Sequence, residues 1–360
     1  AAAIPMMAVA CGTYQSFICY AIGLFLFDCI FMLLDGVPLG KVFQTGFGYI
    51  GICAASLLLY YVILKAVLLS THTQLVDYQG MNQISLSNIP LFLQQFPLAY
   101  GLFLYHFLTP GYLNTFYQVV QIIFCLFLAE SVICLVFLKK LYRDVPRLLL
   151  LAAGLALVPL ALNFIAILAV GAGVHNLMIY AFVLLFLLAL KFAELVMQEL
   201  ISRQKPAWRP VFWVNLALCA ALVWCGFYTN NISYLRLQLR YEHTLAAANR
   251  IVDRVESTPG YTYGTPVVIL GHLPDYMYGK NMPEFSDPFP LTGTDNTSLL
   301  YYYSLHDLFR NVMGLNLSSP TGEQWDAIYS TDLIFEMPCW PEQGSVICYE
   351  GVVLVKLGEV

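Results

Sequence analysis

The sequence predicts a polytopic α-helical membrane protein: about six spanning helices and a partial one at the start, followed by a small C-terminal extracytoplasmic α/β domain. Three observations carry this expectation. Of the 360 residues, 59% are hydrophobic and only 11% charged, against about 25% charged in a soluble domain, and mean hydropathy is +0.71. Charge is unevenly placed, since residues 1–229 hold 10 Lys/Arg and 7 Asp/Glu whereas 230–360 hold 7 and 15, giving balances of +3 and −8. Finally, basic connections alternate with connections that contain no Lys or Arg, and two apolar stretches separate each basic pair. The two halves therefore face different solvents, and no nucleic-acid partner is expected.

The stretches long and apolar enough to span are 14–34, 45–69, 115–138, 148–170, 178–200 and 211–229; a bilayer core needs about 20 apolar residues. They are expected to be helices, because lipid offers no partner for an open backbone. Ala1–Ala10 is apolar but too short to cross, with no basic leader or small-residue cleavage site, so it reads as the tail of a helix that starts upstream. Lys41, then Lys139, Lys140, Arg143 and Arg147, then Arg203, Lys205 and Arg209 mark three connections as cytoplasmic by the positive-inside rule. That orientation places the loop 70–114 and everything after Phe227 outside the cytoplasm. Two domains follow: a helical membrane domain over 1–229, with its outer loop 70–114, and an α/β domain over 230–360.

Within the outer loop, Leu91–Leu108 is rich in Leu, Phe and Tyr but interrupted by Pro97 and Gly101, which suggests an interfacial or re-entrant helix. Beyond the last span, Leu237, Tyr241, Leu245, Ala248, Val252 and Val255 recur at helical spacing and predict an amphipathic helix ended by Pro259-Gly260. Val267–Leu270 reads as a buried strand, 298–311 as a Tyr-rich helix, 332–336 as a strand, and Ser345–Leu357 as a hairpin turning at Tyr349-Glu350-Gly351. Eight of the ten cysteines lie in apolar segments, where a thiol acts as a small hydrophobe. Cys339 and Cys348 flank a Pro/Gly turn in the polar half; a short-loop disulfide and two free thiols both remain open.

Several side chains stand out. Glu130, in the middle third of its span, is expected to face the bundle interior in a structural hydrogen bond, because a carboxylate there costs about 2.5–3.5 kcal/mol on insertion scales. Lys191 and Glu194 read as a local ion pair. His72, His106 and His175 lack ligand spacing and read as packing residues at headgroup level; no metal site or other cofactor is expected, and the sequence gives no support to a divalent ion. Tyr301, Tyr302 and Tyr303 could stack on a sugar or pack their own domain. The Asn-x-Ser matches at Asn231, Asn296 and Asn316 carry no weight.

Gly12-Thr13-Tyr14-Gln15, Tyr241-Glu242 with Ala247-Ala248-Asn249-Arg250-Ile251, Met337-Pro338-Cys339-Trp340-Pro341 with Gly344-Ser345-Val346, and Val352–Leu357 stand in an order that resembles the bacterial glucosyltransferase II family. The similarity runs from the first residues to the end. The resemblance implies a polytopic GT-C-type enzyme at the bacterial cytoplasmic membrane. It would move a glucosyl group from a polyprenyl-phosphate donor to a cell-surface polysaccharide such as O-antigen, on the outer face. It also implies a catalytic carboxylate on the first outer loop, which is expected upstream of Ala1, so that the chain as given would be inactive alone and no residue takes that role by motif.

The chemistry so implied needs a cation for the donor phosphate, apolar walls for the prenyl tail and a carboxylate for the acceptor hydroxyl. Lys65, one turn from the outer end of its span, and Arg236 and Arg240, at i and i+4 beyond the last span, are the donor-phosphate candidates. Their alternative is to anchor the chain by snorkelling to lipid phosphates. Asp77, the outer loop's carboxylate, is the candidate base, against a solvated loop residue. The expected partners are the lipid-linked sugar, the polysaccharide acceptor and membrane lipid. A transporter or flippase would show paired broken spans and several charges at mid-depth, where Glu130 is the one carboxylate read from the sequence. A non-enzymatic anchor for the tail would not need so elaborate an outer loop.

Overall fold

The computed structural model describes residues 2–74, 89–108, 115–168, 174, 176–271, 307–314 and 320–358. Asp77, His175, Asn296, Asn316, Tyr301–Tyr303 and the predicted helical residues 298–306 lie outside the described residues. The chain divides into two compact units, Ala1–Gly226 and Phe227–Val360.

The first unit is helical: α1 (Ala3–Thr13), α2 (Ile18–Leu34), α3 (Leu39–Thr71), α4 (Ile89–Gln94), α5 (Phe96–Leu108), α6 (Thr115–Leu138), α7 (Val145–Leu162), α8 (Phe164–Leu168), α9 (Val183–Ser202) and α10 (Trp208–Glu256), the last continuing into the second unit. Among the described residues, six helices are long and apolar enough to cross a membrane. α1 packs on α3, α2 on α3 and α7, and α6 on α9. Small residues let the backbones close. A Cβ placed on Gly23 of α2 would stand 2.6 Å from Leu162 of α7, the use of glycine expected where lipid supplies no hydrophobic drive to associate.

Three expectations are corrected here. The span predicted over 148–170 breaks after Leu162, where buried Asn163 turns the chain into α8 and donates from Nδ2 to the Ala99 carbonyl at 2.9 Å. The helix α5 begins at Phe96, so Pro97 occupies its first turn, where a missing N–H costs nothing, and Gly101 does not interrupt it. It buries Ala99, Phe103 and Phe107 and packs on α6, α7 and α8. Glu130 is exposed. The buried side of α6 runs through Gln121, Phe124, Phe127, Ser131 and Leu135, and at 100° per residue Glu130 falls off that stripe. Length and hydropathy identify a span but not its rotation. The Lys191–Glu194 ion pair is present at 2.8 Å, half exposed.

The second unit builds its sheet from β1 (Val267–Leu270), β2 (Val346–Tyr349) and β3 (Val352–Lys356) in the order β1-β3-β2. β2 and β3 form an antiparallel hairpin, and β1 joins β3 in parallel. Glu350 and Gly351 take φ of +47° and +74° in the hairpin turn, the left-handed pair that a two-residue connection requires. One face of the sheet packs on Ala247, Ala248, Ile251 and Val255 of α10, and on Phe309 and Trp340. The other face packs on Ile328 of α11 (Gly322–Tyr329) and Ile334 of α12 (Leu333–Glu336). A capping box between Thr321 and Gln324 starts α11.

Residues 332–336, expected as a strand, are the short helix α12, whose Phe335 and Glu336 amides bond back to the Asp332 carbonyl. A five-residue apolar run has no periodicity to decide between the two. The amphipathic helix is not separate from the last span but continuous with it in α10. Its buried stripe centres on Ala248 and Ile251 rather than on Tyr241, which is exposed, or Val252. Cys339 and Cys348 are free thiols, and the Cys348 sulfur lies against Gly260.

Candidate functional site

The first unit holds an apolar groove of about 650 Å³. α2 and α3 form its walls through Ile22, Leu26, Phe43 and Phe47, with Gly46 opening the α3 side. α7 lines it through Ala153 and Leu157, α5 through Phe96 and α8 through Phe164. The α2, α3 and α7 residues lie on spans long enough for lipid, Phe96 and Phe164 on the shorter helices α5 and α8, and the small residues leave the space that the large ones line. Along α3 the groove extends from Val42 to Cys53, about 17 Å at 1.5 Å per residue.

Tyr49, one of the lining residues, makes a polar contact beside the groove. The Tyr49 hydroxyl donates to Asp28 Oδ2 at 2.7 Å, joining α3 to α2, and the Tyr49 ring stacks on Phe25 at 4.2 Å. Asp28 was missed in reading the sequence, although a carboxylate inside an apolar span was signal enough to find it; its effect on hydropathy is diluted by the apolar residues on both sides of it in α2. Glu130 of α6 and Glu194 and Glu199 of α9 are further carboxylates within the spanning helices.

A smaller polar cluster gathers toward the Thr71 end of α3. Gln15, in the break between α1 and α2, donates from Nε2 to the Tyr60 hydroxyl at 3.3 Å, and Gly12 leaves room for the same ring. The Gly12–Gln15 motif therefore clasps α3. One helical turn farther, the exposed Lys65 ammonium stands over the Tyr61 ring, 5.5 Å from its centre. Lys65 is about 18 Å along α3 from Cys53, where the groove ends. Arg236 and Arg240 lie on α10 in the second unit, and their side chains are outside the described residues. Asp77 has no described position. Among the described residues, no three His, Cys, Asp or Glu converge as a metal site would require.

In the second unit, two of the motifs that carry the resemblance meet. Arg250 and Arg254 of α10 stand over the Trp340 ring at 5.4 and 4.6 Å, and Arg254 donates to the Pro341 and Glu342 carbonyls at 3.0 and 3.1 Å. Trp340 is 2% exposed, so this is a packed clasp and not an open sugar platform.

At the opposite end of the helical unit, charges tie the connections together. Lys139 lies 3.7 Å from both Asp35 and Glu199, and Arg203 is 3.4 Å from Glu199. Arg147 meets Asp144 at 3.0 Å, and this guanidinium, accepted first through the side-chain hydrogen bond, holds the Asp144 carboxyl below its usual range. Arg147 also donates to the Leu33 carbonyl at 2.9 Å, and Arg203 to the Leu138 carbonyl. The Leu138 carbonyl is one that a helix end leaves open, and the Leu33 carbonyl accepts from the Gly36 amide as well.

No curated protein and no solved structure matches the chain. A family model described as glucosyl transferase GtrII matches residues 1–186. The match covers α1 to α8 and the start of α9, with the groove and the Gln15–Tyr60 clasp. It stops short of the tail motifs, to which the resemblance had been extended. Because the matched residues are more than half of the chain, it belongs to the glucosyl transferase GtrII family.

Proposed function

We propose that the protein is a GT-C-type glucosyltransferase of the bacterial cytoplasmic membrane, transferring glucose from a polyprenyl-phosphate donor to a cell-surface polysaccharide on the outer face. The family match supports glucosyl transfer over the transporter and anchor readings. The groove is the observation that carries the donor class. A nucleotide sugar has no use for a 17 Å apolar trough, whereas a prenyl chain can lie in it alongside α3. Lys65, on the same helix beyond the groove, and Arg236 and Arg240 are the proposed partners of the donor phosphate, where positive charge would stabilise the phosphate as the glycosidic bond breaks. Asp77 is the proposed base among residues of this chain.

The groove can be filled without disturbing its walls, because Ala153 is exposed and lines it. In membranes expressing the enzyme, Ala153→Phe is expected to lower transfer from a long-chain polyprenyl-phosphate glucose by about tenfold or more, the loss of a few buried methylenes' worth of binding. Transfer from a short-chain analogue should stay near wild type. Equal rates with both donors would remove the groove from the donor site.

The same proposal puts the second unit and the connection 75–88 outside, by the Lys/Arg asymmetry of the loops. Single cysteines placed at Asn82 should react with an impermeant maleimide in intact spheroplasts, and those at Arg143 or Gln204 should not. Labelling at position 204 would reverse the orientation.

A further inference from the structure

We propose that the charged end of the helical unit binds the headgroup of an anionic phospholipid. The inference is independent of glucosyl transfer. A cavity of about 590 Å³ opens where the connections after α2, α6 and α9 meet. Four cations and three carboxylates line it: Lys139, Lys140, Arg147 and Arg203 against Asp35, Asp144 and Glu199. The carboxylates are each answered, Asp35 and Glu199 by Lys139, Glu199 also by Arg203, and Asp144 by Arg147. One positive charge is left over.

That charge is Lys140. It is exposed and forms no ion pair among the described residues. Its backbone is left-handed, with φ +57° and ψ +33°, a conformation that a side-chain-bearing residue adopts at a cost. The turn thus holds an unanswered ammonium at the rim of a cavity whose other cations are already fixed in place.

The cavity is not purely polar. Leu34, Leu138 and Leu141 line it beside the charges, at the points where α2 and α6 end. Leu34 and Leu141 are buried and Leu138 is partly exposed, so a free phosphate ion would satisfy the ammonium and leave the open part of Leu138 wet. A phospholipid satisfies both, with its phosphodiester toward Lys140 and its glycerol and first acyl carbons on Leu138. Basic pockets between spanning helices recognise anionic headgroups by this division of labour.

Retention of phosphatidylglycerol against phosphatidylcholine, measured by native mass spectrometry on the chain in neutral detergent, tests this. The wild type is expected to retain phosphatidylglycerol preferentially. Lys140→Gln should weaken that retention about fivefold, the effect of one charge at a membrane surface, and Lys140→Glu should abolish the preference. Lys191→Gln, at an ion pair elsewhere on α9, should leave retention unchanged. The lipid-free melting temperature of each variant shows that folding is not what changed, as Lys140 is exposed. Equal retention of the two lipids, or unchanged retention in Lys140→Gln, overturns the proposal. Displacement of the lipid by excess inorganic phosphate also overturns it, since the site would then recognise a soluble anion.

Discussion

In Phe227–Val360 every residue of β3, from Val352 to Lys356, is buried, whereas in Ala1–Gly226 the 33-residue helix α3 buries only Val42 and Ser56. Both segments are strongly apolar. β3 is the central strand of its sheet, with α10 and Trp340 over one face and α11 and α12 over the other. Water is excluded from both sides, as a domain in aqueous solvent requires. α3 instead leaves Phe47 70% and Leu69 75% exposed. Large side chains in such continuous exposure are stable only if the surrounding solvent is itself apolar. The two units thus apply opposite rules to one chemistry: the tail hides its apolar residues from its solvent, and the bundle displays them to its own.

The largest test of that contrast is Trp340→Ala. Trp340 is nearly inaccessible and supports two arginines as well as the sheet. Its truncation should cost about 3–5 kcal/mol, the range for emptying a large aromatic site in a well-packed core. Limited proteolysis should then cut within Phe227–Val360 at denaturant levels that leave the wild-type tail intact, while Ala1–Gly226 resists as before. Simultaneous loss of both units would show that the bundle depends on the tail and that the comparison is too sharp.

Much of this organisation was legible in the sequence because the membrane imposes coarse demands. Twenty apolar residues cannot be hidden by local sequence, so the spans are visible, and Tyr349-Glu350-Gly351 between two β-rich runs marks its own hairpin. What failed depended on partners. Whether Glu130 faces in or out depends on which side of α6 meets α9, and Asn163 breaks its span because the Ala99 carbonyl lies within reach. Asp28 stood in plain view as a carboxylate inside an apolar span, and what the sequence could not supply was its partner, Tyr49, 21 residues away on another helix. The groove is a property of five helices together, α2, α3, α5, α7 and α8, and no single one announces it. For the donor phosphate, the sequence nominates Lys65, Arg236 and Arg240 by charge and depth. Of these only Lys65 has a described side chain, and it rests over Tyr61.

A smaller effect probes the bundle's own rule. If α3 meets lipid while α2 meets protein, the same substitution on the two helices should have opposite consequences. Gly23 of α2 has no space: a Cβ would stand 2.6 Å from Leu162 and 3.1 Å from Leu184, and both leucines are buried, at 0% and 4% exposure. Neither can swing away without displacing α7 or α9. Gly23→Ala should therefore cost about 1–3 kcal/mol, as overpacking does. Gly51 of α3 has nothing within 4 Å of the same atom, and Gly51→Ala should cost nothing, because the added methyl meets acyl chains and alanine is the better helix former. Thermal melts followed by fluorescence-detected size exclusion in one detergent give both values on one scale. A Gly51→Ala variant that melts as early as Gly23→Ala would mean that α3 has a protein partner in the membrane and that its open face is an interface.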